Sequence, residues 1–158
     1  MTGTTAPLFK TVSSIDHLHF WSEQDFRARS VAEFLNLKNA EIANISGVSL
    51  SSVRFDGDIP HDVQERLEEI ANICNLVAGF FGGDAQKTAL WFRTKNPMLG
   101  DISPRDMIRF GRYNKLRRFI ISAQAEGDVD HRSQKSLELT RAASSHTEAL
   151  AHVKADAT

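Results

Sequence analysis

The sequence predicts an all-α protein, and three observations support this: the spacing of the apolar residues, the position of the helix-breaking residues, and the composition. Apolar side chains recur every three to four residues over much of the chain, as they do along the buried face of a helix. Glycine and proline stand between these stretches, where helices are expected to begin and end. At 158 residues, 41% of them hydrophobic, the chain can bury one core or two small ones.

The two ends of the chain are predicted to be the least structured parts. Residues 1–24 mix threonine, serine, glycine and Pro7 with scattered apolar residues, which predicts a flexible or partly docked arm. Residues 127–158 are rich in alanine, serine and threonine, and apolar residues recur there at about helical spacing. The sequence therefore predicts a tail that is either a weak helix in need of a partner or disordered.

Residues 25–60 are predicted to form a helix-turn-helix domain. After a first helix, a second short helix is expected over Asn39 to Ile45, and Gly47 breaks it. Ser49 is then expected to cap a third helix that runs to about Phe55. This order of two helices around a tight glycine turn is the pattern of a DNA-reading motif.

The spacing within this segment nominates DNA contacts. Ala43 supplies a small residue where two helices touch, Gly47 the tight turn, and Val53 a branched apolar anchor. Outward and N-terminal side chains of the third helix would reach base edges, with a lysine near the backbone. The nominated DNA contacts are Lys38, Ser49, Ser51, Ser52 and Arg54. Neighbouring carboxylates offset the basic residues, so a scaffold or dimer surface that binds no DNA stays open.

Residues 61–126 are predicted to contain a long linking helix and a second helical module. The long helix begins after Pro60, at His61 or Asp62, and continues to about Phe81. Cys74 lies in its apolar pattern and is expected to be a core residue. The Gly82-Gly83-Asp84 sequence then provides a C-cap and an N-cap, so that the next helix, to about Thr94, turns back.

The stretch that follows combines proline, glycine and aromatic residues in a dense order. Asn96-Pro97 is expected to end a helix, Gly100 to take a left-handed conformation, and Ser103-Pro104 with Asp106 to begin the next helix. The residues expected to close this hinge into a small core are Trp91, Phe92, Leu99, Met107, Ile108, Phe110, Phe119 and Ile120.

These residues resemble those of a known family. Trp91, Asn96-Pro97, Leu99-Gly100, Ser103-Pro104 and Asp106 resemble the C-terminal toxin-binding domain of the antitoxin family called Xre, MbcA or ParS. The segment Val31 to Phe55 is similar to the Xre-type helix-turn-helix, although Ser46 stands where an apolar residue is common. The resemblance implies an antitoxin of a type II system, which binds and occludes a cognate protein toxin, commonly a RES-type toxin that degrades NAD.

The resemblance also implies particular residues and partners. The N-terminal part of such proteins can repress the shared operon, so operator DNA is an implied partner, as is a homodimer within a larger toxin–antitoxin complex. The residues that match the motif, and so are implied to build the toxin-binding fold, are Trp91, Pro97, Leu99, Gly100, Ser103, Pro104 and Asp106.

Basic residues dominate the chain beyond Pro104. Arg105, Arg109 and Arg112 have helical spacing and are expected on one exposed face, which nominates them as direct toxin contacts. Lys115, Arg117 and Arg118 extend the basic zone. A merely solvated face is one alternative, and contact with operator phosphate instead of toxin carboxylates is another.

Other functions find little support in the sequence. No nucleophile, base and orienting residue form a set, and no histidine, cysteine and carboxylate spacing predicts a metal site, so neither an enzyme nor a cofactor is expected. No apolar run is long enough to span a membrane, and a cytoplasmic location is expected. Two alternatives remain open: a stand-alone helix-turn-helix transcriptional regulator without a toxin partner, and a toxin inhibitor that binds no DNA.

Overall fold

The structure is a computed structural model that describes residues 15–23 and 25–127. The predicted tail lies outside these residues except for Gly127, as do the first 14 residues of the predicted arm. A short antiparallel pair, β1 (Trp21–Ser22) and β2 (Asp25–Phe26), precedes the helices. The helices are α1 (Ala28–Phe34), α2 (Asn39–Ser46), α3 (His61–Phe80), α4 (Ala85–Arg93), α5 (Pro104–Arg109) and α6 (113–127), with single 3₁₀ turns η1 (Leu50–Ser52) and η2 (Pro97–Leu99). The predicted all-α class is confirmed.

The chain divides into two compact units. The first ends at Arg118 and contains all of the elements up to the first turns of α6, and the second begins at Phe119. Within its described residues the second unit is helical as far as Gly127. Phe119 and Ile120, which were expected to close the hinge core, belong to this second unit.

Helix α3 is the centre of the first unit. It has 20 residues, and α1, α2 and α4 all pack against it. Its buried side chains recur at helical spacing and include Val63, Leu67, Ile70 and Cys74, all fully inaccessible to solvent. The predicted long helix is therefore confirmed, and so is the core position of Cys74, where burial raises the pKa of the thiol.

The described part of the N-terminal arm is docked against α3 rather than flexible. Phe20 is buried, and the carboxylate of Asp16 accepts hydrogen bonds from the backbone N–H groups of Phe20 (3.0 Å) and Trp21 (2.9 Å). The buried side chain of Asn75 on α3 donates to Asp16 Oδ1 (3.0 Å) and accepts from the backbone N–H of Leu18 (3.0 Å). This role of Asn75 was not predicted from sequence, because its partners are 57 and 59 residues away.

The prediction of a third helix over residues 49–55 is wrong. The structure has only the three-residue turn η1 there, followed by Val53 in an extended conformation. The hydroxyl of Ser49 hydrogen-bonds those of Ser51 (3.2 Å) and Ser52 (2.8 Å). Serine favours helix caps and turns over helix interiors, and three of these seven residues are serines.

Candidate functional site

The hairpin of α4 and α5 contains the motif residues. Helix α4 begins at the predicted N-cap: Asp84 Oδ1 accepts from the backbone N–H of Lys87 (3.0 Å). Thr88 is fully buried, and its hydroxyl donates to the Asp84 carbonyl (2.7 Å), which tightens the first turn. Phe92 is only 1% exposed and fixes the inner face of α4 within the unit. The local sequence thus determines where this helix begins and which side it buries.

The turn between α4 and α5 is held by Asn96. Its side-chain oxygen accepts from the backbone N–H of Met98 (3.0 Å), and its backbone N–H donates to the Ile102 carbonyl (3.1 Å). Gly100 has φ of 81°, the left-handed conformation that was predicted from its position. The hinge therefore has a defined conformation that returns the chain to the start of α5.

Helix α5 also begins as predicted. Ser103 Oγ accepts from the backbone N–H of Asp106 (3.1 Å), Pro104 occupies the first turn, and the Asp106 carboxylate lies at the positive end of the helix. Met107 and Ile108 on this helix are completely buried. Phe110, which was predicted to be a core residue, is 61% exposed at the C-cap, so that prediction is wrong.

Three of the seven motif residues are buried inside this hairpin. Leu99 and Ser103 are 7% and 5% exposed, and Pro104 is also buried. Trp91 is half-buried and contacts Phe92 edge-to-face, with ring centroids 5.1 Å apart. Pro97 and Gly100 lie at the surface. The motif therefore specifies the shape of the hairpin, and a contact role for its residues stays a prediction.

Two large apolar side chains of the hairpin face solvent. Leu90 on α4 is 66% exposed, and Met98 on η2 is 79% exposed. Arg93 and Lys95, between them in sequence, are also exposed. The exposure of these two side chains was not predicted from sequence. An apolar residue such as Leu90 fits the helical pattern equally well whether its side chain is buried or exposed. We call Leu90, Arg93, Lys95 and Met98 the hairpin surface.

Arg105 and Arg109 are engaged within the chain, which corrects the predicted exposed arginine face. Arg105 donates to the backbone carbonyls of Leu35 and Asn36, the latter at 2.6 Å. Asn36 follows α1 and has a left-handed conformation, with φ of 50°. Arg105 therefore connects α5 to the turn after α1. The two guanidinium–carbonyl bonds make Arg105 part of the packing between these elements.

Arg109 joins α5 to α2. Its guanidinium contacts Glu41 Oε1 at 2.5 Å and Asp106 Oδ1 at 2.8 Å. The hydrogen bond to Asp106, followed by the one to Glu41, raises the pKa of Arg109. Glu41 also accepts from the backbone N–H of Lys38 (2.9 Å), so one carboxylate caps α2 and holds α5. The sequence indicated only that Glu41 offset nearby positive charge.

Arg112 does not share a helix face with the other two arginines. Helix α5 ends at Arg109, and Gly111 takes φ of 74° before α6 begins at residue 113. Arg112 is exposed, and within the described ranges its side chain makes no hydrogen bond or ion pair. The prediction of one helical row through Arg105, Arg109 and Arg112 is wrong because the glycine interrupts it.

The nominated DNA contacts lie on α2 and the η1 segment. Lys38, Ser49, Ser51 and Arg54 are exposed and Ser52 is half-buried, but no recognition helix presents them. Ser46, which departs from the motif, has a buried hydroxyl without a hydrogen-bond partner among the described residues. An unpaired buried hydroxyl costs about 1 to 3 kcal/mol.

A cavity of about 390 Å³ lies between α1 and the segment after η1. Its floor is apolar and its rim carries both signs of charge; the lining residues are Arg29, Ala32, Glu33, Asn36, Leu37, Asn39, Val53, Arg54, Phe55 and Asp56. The Arg29 guanidinium lies 5.7 Å from the centroid of the Phe55 ring. The two cations and two carboxylates balance, so the cavity has no preference for an anion.

In the described part of the chain, one group of side chains could offer ligand atoms to a metal ion. His61, Asp62 and Glu65 bring possible ligand atoms within 4.8 Å of one another, and all three are exposed among the first five residues of α3. No described helix combines the length and the apolar character that crossing a membrane requires.

Comparisons with known proteins give one limited likeness. No family model matches the chain, and no curated protein matches it. A chain in the crystal structure of the M. tuberculosis MbcT-MbcA toxin–antitoxin complex is similar, with 24% sequence identity and a TM-score of 0.41. The likeness covers 63% of this chain and 91% of that chain. A likeness of this extent does not identify a function.

Proposed function

We propose that this chain is the antitoxin of a type II toxin–antitoxin pair. It binds and occludes a cognate protein toxin of the RES type, which degrades NAD, and it contacts DNA to regulate its own operon. The observation that carries the proposal is the structural role of three motif residues: Asn96, Gly100 and Ser103 each determine a separate part of the α4–α5 hairpin. The hairpin therefore has a defined shape, as a surface that binds a protein partner requires.

To inhibit a toxin, this hairpin needs only to bury a complementary surface against it. No catalytic residue of the hairpin is required. A protein that covers the substrate pocket of an enzyme excludes the substrate by occupying its place. The hairpin surface supplies two exposed apolar anchors, Leu90 and Met98, with two cations nearby. Apolar anchors surrounded by polar groups are the usual arrangement of residues that dominate binding energy. We therefore propose the hairpin surface as the toxin contact.

The arginines that were nominated as toxin contacts have unequal roles in this proposal. Arg105 and Arg109 support the hairpin from the side of α1 and α2. Arg112 keeps an exposed side chain and remains the nominated arginine for direct contact with a partner. Assembly as a homodimer, which the family resemblance implies, would present two such hairpins and bring two toxins into one complex.

Co-expression with the product of the adjacent reading frame tests this function. We expect the neighbour alone to stop growth and to deplete cellular NAD, and we expect this chain to restore both and to co-purify with the tagged neighbour. Depletion of another metabolite would contradict the RES-type part alone. A neighbour that is neither toxic nor bound would remove the antitoxin proposal and leave a stand-alone transcriptional regulator.

Substitutions on the hairpin surface test where the toxin binds. The double variant Leu90→Asp, Met98→Asp places charges at both apolar anchors, and we expect at least about a 100-fold loss of affinity for the toxin. Leu50→Asp is a matched control, because Leu50 is 58% exposed on η1, outside the hairpin. Equal binding by wild type and the double variant would show that the toxin contacts another surface.

A further inference from the structure

In the described part of the chain, a group of unpaired positive charges lies after α5. From Met107 to Ala125 the sequence contains no aspartate or glutamate, whereas it contains Arg109, Arg112, Lys115, Arg117 and Arg118. Arg109 is paired with carboxylates, as described above. We call Arg112, Lys115 and Arg118 the basic row. All three are exposed, and none makes a side-chain hydrogen bond or ion pair with a described residue.

The basic row is a regular line on the surface. Helix α6 begins at residue 113, and the Arg112 carbonyl accepts the first helical hydrogen bond, from the Leu116 N–H at 3.2 Å. Positions three apart lie on one side of a helix, about 4.5 Å apart along its axis. Leu116 is completely buried, whereas the three side chains of the row are exposed to solvent.

This row of like charges destabilises the protein when no partner is bound. Like charges on neighbouring turns of one helix face repel each other and destabilise the helix. Cations in the first turn also oppose the positive end of the helix dipole. No described carboxylate relieves either effect at Arg112 or Lys115. A bound anion would relieve both.

We propose that the basic row binds phosphates of the nucleic-acid backbone. This inference deepens the DNA-binding half of the proposed function and rests on it. Three unpaired cations with exposed Asn114 form a polar, positively charged surface, which is typical of nucleic-acid interfaces. A protein partner would be expected to meet an apolar centre depleted of charge. The η1 segment suits phosphate less well, because it has no helix and is followed by Asp56 and Asp58.

Salt-dependent DNA binding by the full chain tests the basic row. The probes are a 30-base-pair duplex from directly upstream of the chain's own reading frame and an unrelated duplex of equal length, measured by fluorescence anisotropy from about 50 to 200 mM salt. In the triple variant Arg112→Gln, Lys115→Gln, Arg118→Gln we expect binding to both duplexes to weaken by about tenfold or more at 100 mM salt. We also expect the slope of log K against log salt to become shallower by about 2 to 3, since each lost phosphate contact removes about 0.9.

A matched variant removes the same amount of charge elsewhere. Arg27→Gln, Arg29→Gln, Lys87→Gln changes three exposed cations outside the basic row, the hairpin surface and the nominated DNA contacts, and we expect its salt slope to equal that of wild type. The triple variant of the basic row should fold, because it relieves repulsion, and its melting temperature checks this.

The remaining outcomes separate failure of the inference from failure of the function. If wild type binds DNA and the triple variant binds it equally well, the basic row does not contact phosphate, although the DNA-binding proposal stands. If wild type binds neither duplex at 50 mM salt, the DNA-binding proposal and the inference both fail. If the triple variant keeps DNA binding but no longer co-purifies with the neighbouring gene product, the basic row contacts an acidic protein surface, which overturns the inference.

Discussion

Individual side chains fall into two classes by how far away their partners lie. Asp84 and Ser103 cap helices through bonds to residues three positions later, and both caps were predicted from sequence. Arg105 and Arg109 bond residues up to 70 positions away, so no local pattern distinguished them from exposed contacts. Local hydrogen-bond chemistry is thus readable from sequence, whereas pairing between distant segments needs the fold.

Asp16 provides a pH-dependent test at the scale of one residue. Burial alone raises the pKa of its carboxyl, but hydrogen bonds from Trp21, Asn75 and Phe20 and the charge of His19 outweigh this, so the pKa lies below the usual 3.8. A lowered folded-state pKa stabilises the fold above the unfolded-state pKa, and this stability is lost as pH falls through the folded-state value.

We therefore expect Asp16→Asn to lower the free energy of unfolding by about 1 kcal/mol at pH 7, a hydrogen-bond value reduced for solvent screening. Urea unfolding at pH 7 and at stepwise lower pH measures the difference from wild type, which should shrink below pH 3.8. Asp25→Asn, at an exposed carboxylate of β2, is the control. A difference that is constant across this range would show that the charge of Asp16 is not what stabilises the arm.

Whole elements were predicted well where their ends carry strong signals. Helix α3 follows Pro60 and ends before Gly82-Gly83, and its bounds agree with the prediction to within about a residue. The prediction of a third helix in the helix-turn-helix segment was wrong, since serine, which occupies three of its positions, favours caps and turns over helix interiors. The β1–β2 pair escaped prediction because two residues per strand are too few for an alternating pattern.

The start of α6 provides a test at the scale of an element. Lys115 is the third residue of this helix, where a positive charge opposes the helix dipole. We expect Lys115→Glu to raise the free energy of unfolding by about 0.5 kcal/mol and the melting temperature by about 1 to 2 °C. Lys95→Glu, at an exposed position outside any described helix, should leave the melting temperature unchanged. A lower melting temperature for Lys115→Glu would mean that Lys115 stabilises the fold.

At the scale of the molecule, the predicted segments 25–60 and 61–126 share one packing centre up to Arg118. Helices α1 and α2 pack on α3, and Arg109 connects α5 to Glu41 of α2. The boundary near residue 60 was predicted because the long helix was expected to begin after Pro60. The contacts that cross this position come from apolar faces whose partners cannot be identified from periodicity alone.

The two tryptophans test whether these segments unfold together. Trp21 lies in β1 and Trp91 in α4, and the sequence contains no other tryptophan. In Trp21→Phe and Trp91→Phe, fluorescence reports on one site at a time. We expect the midpoint of urea unfolding followed by fluorescence to coincide in each variant with that followed by circular dichroism, because both sites depend on α3. Two separated transitions within one variant would indicate independently folding domains on either side of residue 60.

The buried thiol of Cys74 has a practical consequence for following these proteins in solution. Cys74 is the only cysteine in the sequence. It lies on the buried face of α3, and its burial disfavours the reactive thiolate. Maleimide dyes should therefore not react with the folded wild-type chain. A cysteine introduced at exposed Asn114, beside the basic row, would accept a single dye at a known position. Distances from that dye to a labelled duplex end could then give the orientation of bound DNA.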